Sequence, residues 1–145
     1  HIQHNTINWL SATPDGFYQI FNEDSEDFEV LEEGILEIKC PAKSKKCNRK
    51  VTYYYVPQMY LEMACSGKRS AMFVSWGLDY TRAWKLHWDD DMWMALCAMI
   101  DVLKKTKMGA TYVHWINAQH QLKKHCMRCV NEATPLFPDR GWPSK

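Results

Sequence analysis

The stretch GILEIKCPAKSKKC, residues 34–47, sets a glutamate and a lysine two positions apart in an apolar run and then adds a burst of lysines. Gly34 to Cys40 reads as a strand, and Pro41 ends it because proline cannot donate to a sheet ladder. Side chains alternate along a strand, so Ile35, Glu37 and Lys39 share one face while Leu36, Ile38 and Cys40 share the other. Charges on that face belong in a cleft or against each other. Taken alone, an E-x-K triplet also describes a salt-bridged pair on a solvated strand, an arrangement worth about 0–1 kcal/mol.

Upstream, SATPDGFYQIF places a turn-forming Pro14-Asp15-Gly16 before aromatic and β-branched residues, which predicts a turn leading into a strand. Between the two strands, residues 22–33 hold seven acids and read as a loop or hairpin tip; residues 39–50 hold six bases. The net charge is only +1, so these segregated patches matter more than the total. Downstream, VPQMYLEMAC has Pro57 at a first helical position, Gln58 opening the helix, apolar Met59 and Met63, and Ser66-Gly67 as its end. RSAMFVSWG and TRAWKLHW read as an antiparallel hairpin turning near Gly77 to Tyr80 and extending the sheet. From Asp89, three aspartates suit a helix N-terminus, Trp93, Leu96, Ile100 and Leu103 recur at helical spacing, and Lys104 and Lys105 fall in the last turn. A second long helix is expected over Tyr112 to Val130. Residues 131–145, with three prolines and no periodicity, read as an irregular tail or a docked loop.

A chain of 145 residues suits one domain, 1–145, with a real core. Apolar residues make up 46% and charged residues 24%, and the longest apolar runs fall short of a membrane span, which argues against a membrane protein. The first ten residues lack the pattern of a signal peptide, and without an initiator methionine the chain reads as an excised fragment. Six irregularly spaced cysteines do not form a disulfide framework, so an intracellular protein of cytoplasm or nucleus is expected rather than a secreted one.

Asp15 on its turn and Glu37 with Lys39 on a strand face bring two carboxylates and an ammonium together if the two strands pair. Carboxylates are hard ligands suited to magnesium, and the backbone carbonyl of Ile38 offers one more oxygen. A lysine beside such a metal holds or polarises a water that the metal has acidified, which is an arrangement for cleaving phosphodiesters.

The ordered blocks ATPDGF, ILEIKCP and YYYVPQMYLEM resemble the successive motifs of the PD-(D/E)XK nuclease superfamily, in its branch containing phage lambda exonuclease and the YqaJ-like viral recombinases. The resemblance runs over residues 10 to 88. It implies an α/β fold with a restriction-endonuclease-like core, a mixed central β-sheet flanked by α-helices. It further implies a Mg2+-dependent deoxyribonuclease, with Mn2+ able to substitute, acting on DNA in recombination or repair, most specifically an exonuclease on duplex ends. Asp15 and Glu37 match the family's metal-binding carboxylates, Lys39 its catalytic lysine and Gln58 its helix glutamine. Lys43, Lys45, Lys46, Arg49 and Lys50 would then neutralise phosphates beside the cut. DNA is the implied partner, with a homo-oligomer as the implied assembly. Two features depart from the pattern: the helix that opens the family core, ahead of the P-D-G turn, is missing or lies outside this fragment, and the family's second helix glutamine is Tyr60 here. An endonuclease on the same scaffold and a silent nucleic-acid-binding module are the alternatives; the intact Asp15, Glu37 and Lys39 argue against the second.

The run Tyr53-Tyr54-Tyr55 suits either base stacking, with Tyr54 as the candidate, or core packing for at least one ring. His120, His125, Cys126 and Cys129 supply at most half of a structural zinc site and read better as an amphipathic helix whose cysteines pack as small apolar groups. Trp84, Trp88, Trp93, Met92, Met94 and Met99 read as core.

Overall fold

The computed structural model describes residues 1–24, 27–41, 46–78, 80–106, 112–137 and 142–143. Two short strands, β1 (Ile2–Gln3) and β2 (Ser11–Ala12), pair antiparallel ahead of the main sheet. The P-D-G turn then launches β3 (Gly16–Phe21), which runs antiparallel to β4 (Val30–Lys39) with Gly16 opposite Leu36. Much of the acidic stretch links the two strands, and its last residues, from Val30, already belong to β4.

β4 runs parallel to β5 (Ser70–Trp76), pairing Ile35 with Ala71, Glu37 with Phe73 and Lys39 with Ser75. Parallel neighbours need a crossover, and α1 (Val56–Ser66) supplies it. A 3-10 turn at Tyr53–Tyr55 leads into this helix, Pro57 lies in its first turn, and Gly67 closes it at a φ of 69°, the left-handed conformation that glycine adopts without penalty. β6 (Tyr80–His87) returns antiparallel to β5, as the hairpin reading anticipates. The tail reaches the sheet twice: β7 (Thr134–Pro135) pairs with Trp84 and Lys85, and β8 (Trp142–Pro143) with Tyr80 and Thr81. Among the described residues the sheet is six-stranded and mixed, in the order β3-β4-β5-β6-β7 with β8 also on β6.

The core lies where the helices meet one sheet face. In-register Ile35, Ala71 and Leu86, with Phe73 and Trp84, pack against Val56, Met59, Tyr60 and Met63 of α1. Cutting Met59 or Met63 to alanine would cost about 2–5 kcal/mol, since both are fully buried. α2 (Asp90–Thr106) and α3 (Tyr112–Glu132) close the core with Met92, Leu96, Cys126, Cys129 and Val130. Asp89 caps α2 by accepting the Met92 N–H at 2.9 Å, and Arg128 of α3 grips both Asp89 oxygens at 2.6 Å. Burial fades along α2: Leu103 shares the face of Met92 and Leu96 yet is half exposed near the helix end. Met94, read from sequence as core, points from the opposite face and is 60% exposed. All six cysteines are free. Cys126 and Cys129 pack as apolar groups, the first with its Sγ 3.9 Å from Met92 Sδ. No helix among the described residues is long and apolar enough to cross a membrane.

Candidate active site

Antiparallel pairing of β3 and β4 brings the turn before Gly16 alongside the end of β4. Asp15 therefore reaches across, and its Oδ2 accepts the Ile38 N–H at 2.7 Å. Glu37 and Lys39 lie on the helix-facing side of β4, as their pairing with Phe73 and Ser75 requires. The first turn of α1 sits over them. Gln58 Nε2 donates to Glu37 Oε1 at 2.7 Å and to Glu62 Oε1 at 2.8 Å, while Gln58 Oε1 accepts from Lys39 Nζ at 3.4 Å. Lys39 Nζ also forms an ion pair with Glu37 Oε1 and lies 4.7 Å from the centre of the Tyr55 ring, which stacks on Phe73. Asp15, the Glu37–Lys39 pair and Gln58, drawn from three separate segments of the chain, thus form one connected group.

The group runs from exposed Asp15 through half-buried Lys39 and Gln58 to a fully buried Glu37, and it is not satisfied. The Glu37 side chain is 1% exposed and that of Lys39 24%. Glu37 Oε2 and Glu62 Oε2 are both buried without a hydrogen-bond partner. An unmatched buried carboxylate oxygen is costly, so two in one cluster require an explanation. Burial pushes the Glu62 carboxyl up to about 7, helped by the charges of Glu37 and Asp15 against the Gln58 hydrogen bond and Lys39. For Lys39, burial works to lower the pKa, but the hydrogen bond and charge of Glu37, with Asp15 and Tyr55 adding, outweigh it and hold the ammonium above its ordinary value.

The donor set fits a hard divalent cation. Magnesium is held through one or two carboxylates, keeping waters and substrate phosphates as its remaining ligands, and Asp15 with the unmatched Glu37 oxygen supplies such a set. Among the described residues no group of three or more His, Cys, Asp or Glu is arranged to hold a metal.

Of the basic loop, Lys43 and Lys45 lie outside the described residues. Lys46 and Arg49 line a cavity of about 240 Å3 with Cys47, Tyr80 and Arg82, and Arg82 stands opposite Ser75, which itself stands opposite Lys39. The loop is pinned there: the Asn48 N–H donates to Ser75 Oγ at 2.8 Å, and any side chain at Gly77 would collide with the backbone of Lys46 and Cys47. Lys50 faces a separate cavity with Tyr53, Met127 and Val130. Tyr55 packs against the core, which meets the packing expectation for at least one ring of the run, and Tyr54 is 58% exposed.

Tyr60 is fully buried and donates its hydroxyl to the His87 carbonyl at 3.0 Å. It belongs to the core, not to the polar cluster. Sequence reasoning missed Glu62 and Arg82. The signal for Glu62 was available, since it stands one helical turn after Gln58 on the same face, amid buried positions. Arg82 emerges only from strand register.

Residues 1–69 match the family model of the YqaJ-like viral recombinase domain, a span that contains the whole polar cluster and ends just after α1. The match supports the recombinase branch of the PD-(D/E)XK nucleases. No curated protein and no solved structure matches the chain.

Proposed function

We propose that this protein is a metal-dependent deoxyribonuclease of the YqaJ-like recombinase type, an exonuclease hydrolysing duplex DNA from its ends. The observation that carries the reading is the grouping of Lys39 and Gln58 on one Glu37 oxygen, with the other Glu37 oxygen buried and without a donor and Asp15 bonded to the neighbouring Ile38 N–H, inside the span that matches the recombinase family. Asp15 and Glu37 would hold the cation, and the Ile38 carbonyl would offer a further oxygen. When bound, Mg2+ (or Mn2+) polarises the scissile phosphate and acidifies a water. Lys39 stays an ammonium at neutral pH because its pKa is raised, so it donates to the attacking water or the developing phosphate charge rather than abstracting a proton. Gln58 orients this lysine through its carbonyl and Glu37 through its amide N–H. Lys46 and Arg49 neutralise DNA phosphates beside the cut.

The test is incubation with end-labelled linear and covalently closed circular duplexes plus magnesium. Loss of label from linear DNA alone supports the exonuclease. Nicked circles would make it an endonuclease on the same scaffold, and retention without cleavage would make it a binding module.

A further inference from the structure

Gln58 Nε2 spends both N–H groups on carboxylates, one on Glu37 and one on Glu62, leaving its carbonyl oxygen to face the Lys39 ammonium. A flipped amide would set a carbonyl against two carboxylates and an NH2 against an ammonium, so this network has one favourable orientation. Glu37, however, is the residue the proposed reaction gives to a cation through its unmatched Oε2, while its Oε1 accepts from Gln58 and pairs with Lys39, so its side chain answers several demands at once. Glu62 is not under that combination of demands. It lies on the same helix, one turn on, 2% exposed, with its remaining oxygen unmatched in the interior. A buried carboxyl there destabilises the helix packing unless it serves something, because an apolar side chain of the same volume would fill the space at less cost. Its Oε1 can accept from Gln58 whether or not the other oxygen carries a proton.

We infer that Glu62 is a positioning residue that locks the Gln58 side-chain amide, so that Gln58 keeps its carbonyl on Lys39 while Glu37 is engaged elsewhere. The inference rests on the nuclease reading for its consequence in catalysis, but the lock itself exists in the free protein.

Single-turnover cleavage of linear duplex at saturating magnesium tests it, using Glu62→Met, Glu62→Gln, Gln58→Ala and the Gln58→Ala/Glu62→Met double variant. Glu62→Met should cut the rate about tenfold with DNA affinity unchanged, the size expected for one lost hydrogen bond to an oriented group. Glu62→Gln, which keeps an acceptor in place, should recover to within about threefold of wild type by the same estimate. In the Gln58→Ala background Glu62→Met should cost nothing further, because a residue acting only through Gln58 has no remaining route. Equal rates for Glu62→Met and Glu62→Gln, or an undiminished Glu62→Met penalty without Gln58, would overturn the assignment. Hydrogen exchange of the Gln58 side-chain N–H groups, followed by NMR without metal or DNA, reads the lock independently of cleavage. Slow exchange in wild type that becomes fast in Glu62→Met supports it, and identical exchange overturns it. An inactive wild type with a locked amide would count against the nuclease reading alone.

Discussion

Two carboxylate networks sit on the same strand, β4, one on each face, and they are built to opposite standards. On the face away from the helical core, Glu32 is complete. Its Oε1 accepts from Tyr18 at 2.6 Å and Ser70 at 2.8 Å, and its Oε2 from Lys85 at 2.7 Å. Burial pushes this carboxyl up, but the hydrogen bonds from Lys85, Tyr18 and Ser70, with the lysine's charge, bring it down to about 2. On the helical face, Glu37 and Glu62 each keep one buried oxygen without a donor. A network with every oxygen matched ties three other strands to β4. A network with two carboxylate oxygens unmatched, beside a lysine and a carboxyl pushed up to about 7, is the one to which the proposed reaction assigns a ligand.

Substitutions that break this contrast should rank as follows. The largest effect falls on Asp15→Asn, which removes a ligand charge at nearly constant volume: cleavage should fall by at least about a thousandfold, while the melting temperature stays near wild type. Chelator should have the same effect on wild type, reversed by Mg2+ or Mn2+, whereas Ca2+ should bind without supporting turnover. Next, Lys39→Ala should slow the chemical step by about 10²–10³-fold in single-turnover assays, the range typical for removal of one transition-state donor, with magnesium and DNA still binding. Loss of metal binding in that variant would reassign the lysine.

On the other face, Glu32→Gln should leave the cleavage rate unchanged and lower stability by about 1–3 kcal/mol in urea titration, because Lys85 loses its counter-charge. Its contribution has a defined pH window. A carboxyl held at about 2 when folded, against an ordinary 4.5, stabilises fully above 4.5 and loses that contribution as pH falls toward 2. Glu62 runs the other way in metal-free protein: the folded state holds to about 7 a proton that the unfolded chain releases near 4.5, so stability declines as pH rises through that interval. Urea midpoints measured from pH 3 to 8 in chelator should show the low-pH loss flattened by Glu32→Gln and the decline toward neutral pH flattened by Glu62→Gln. The smallest effect belongs to the loop. Replacing Lys46 or Arg49 with serine should weaken DNA binding alike for all sequences and reduce the log-log salt slope by about one unit for each phosphate no longer neutralised. An unchanged slope would remove the loop from the interface.

Much of this contrast is legible in the sequence itself. Alternation along GILEIKCP places Glu37 and Lys39 on one face, and Pro57 with Ser66-Gly67 bounds α1, because local backbone rules dominate at those points. What stays hidden depends on register and partnership. Glu32 reads as one more acid in an acidic loop, since its partners Tyr18, Ser70 and Lys85 come from three other strands. Arg82 enters the row of Lys39 and Ser75 only through pairing across two ladders. The tail's proline-rich segments show no periodicity, and the two-residue strands they form on β6 are too short to leave any. Leu103 follows the apolar stripe of α2, but stripe position does not tell how far along a helix its partner continues to cover it.

The central claim is that the incomplete network is the catalytic one and the complete network is a brace. Magnesium-dependent cleavage of an end-labelled linear duplex by Glu37→Gln and Glu32→Gln, assayed side by side with both proteins shown to be folded, tests it most directly. The account expects no detectable cleavage from Glu37→Gln and the wild-type rate from Glu32→Gln. A wild-type rate from Glu37→Gln, or an equal loss in both, would contradict it.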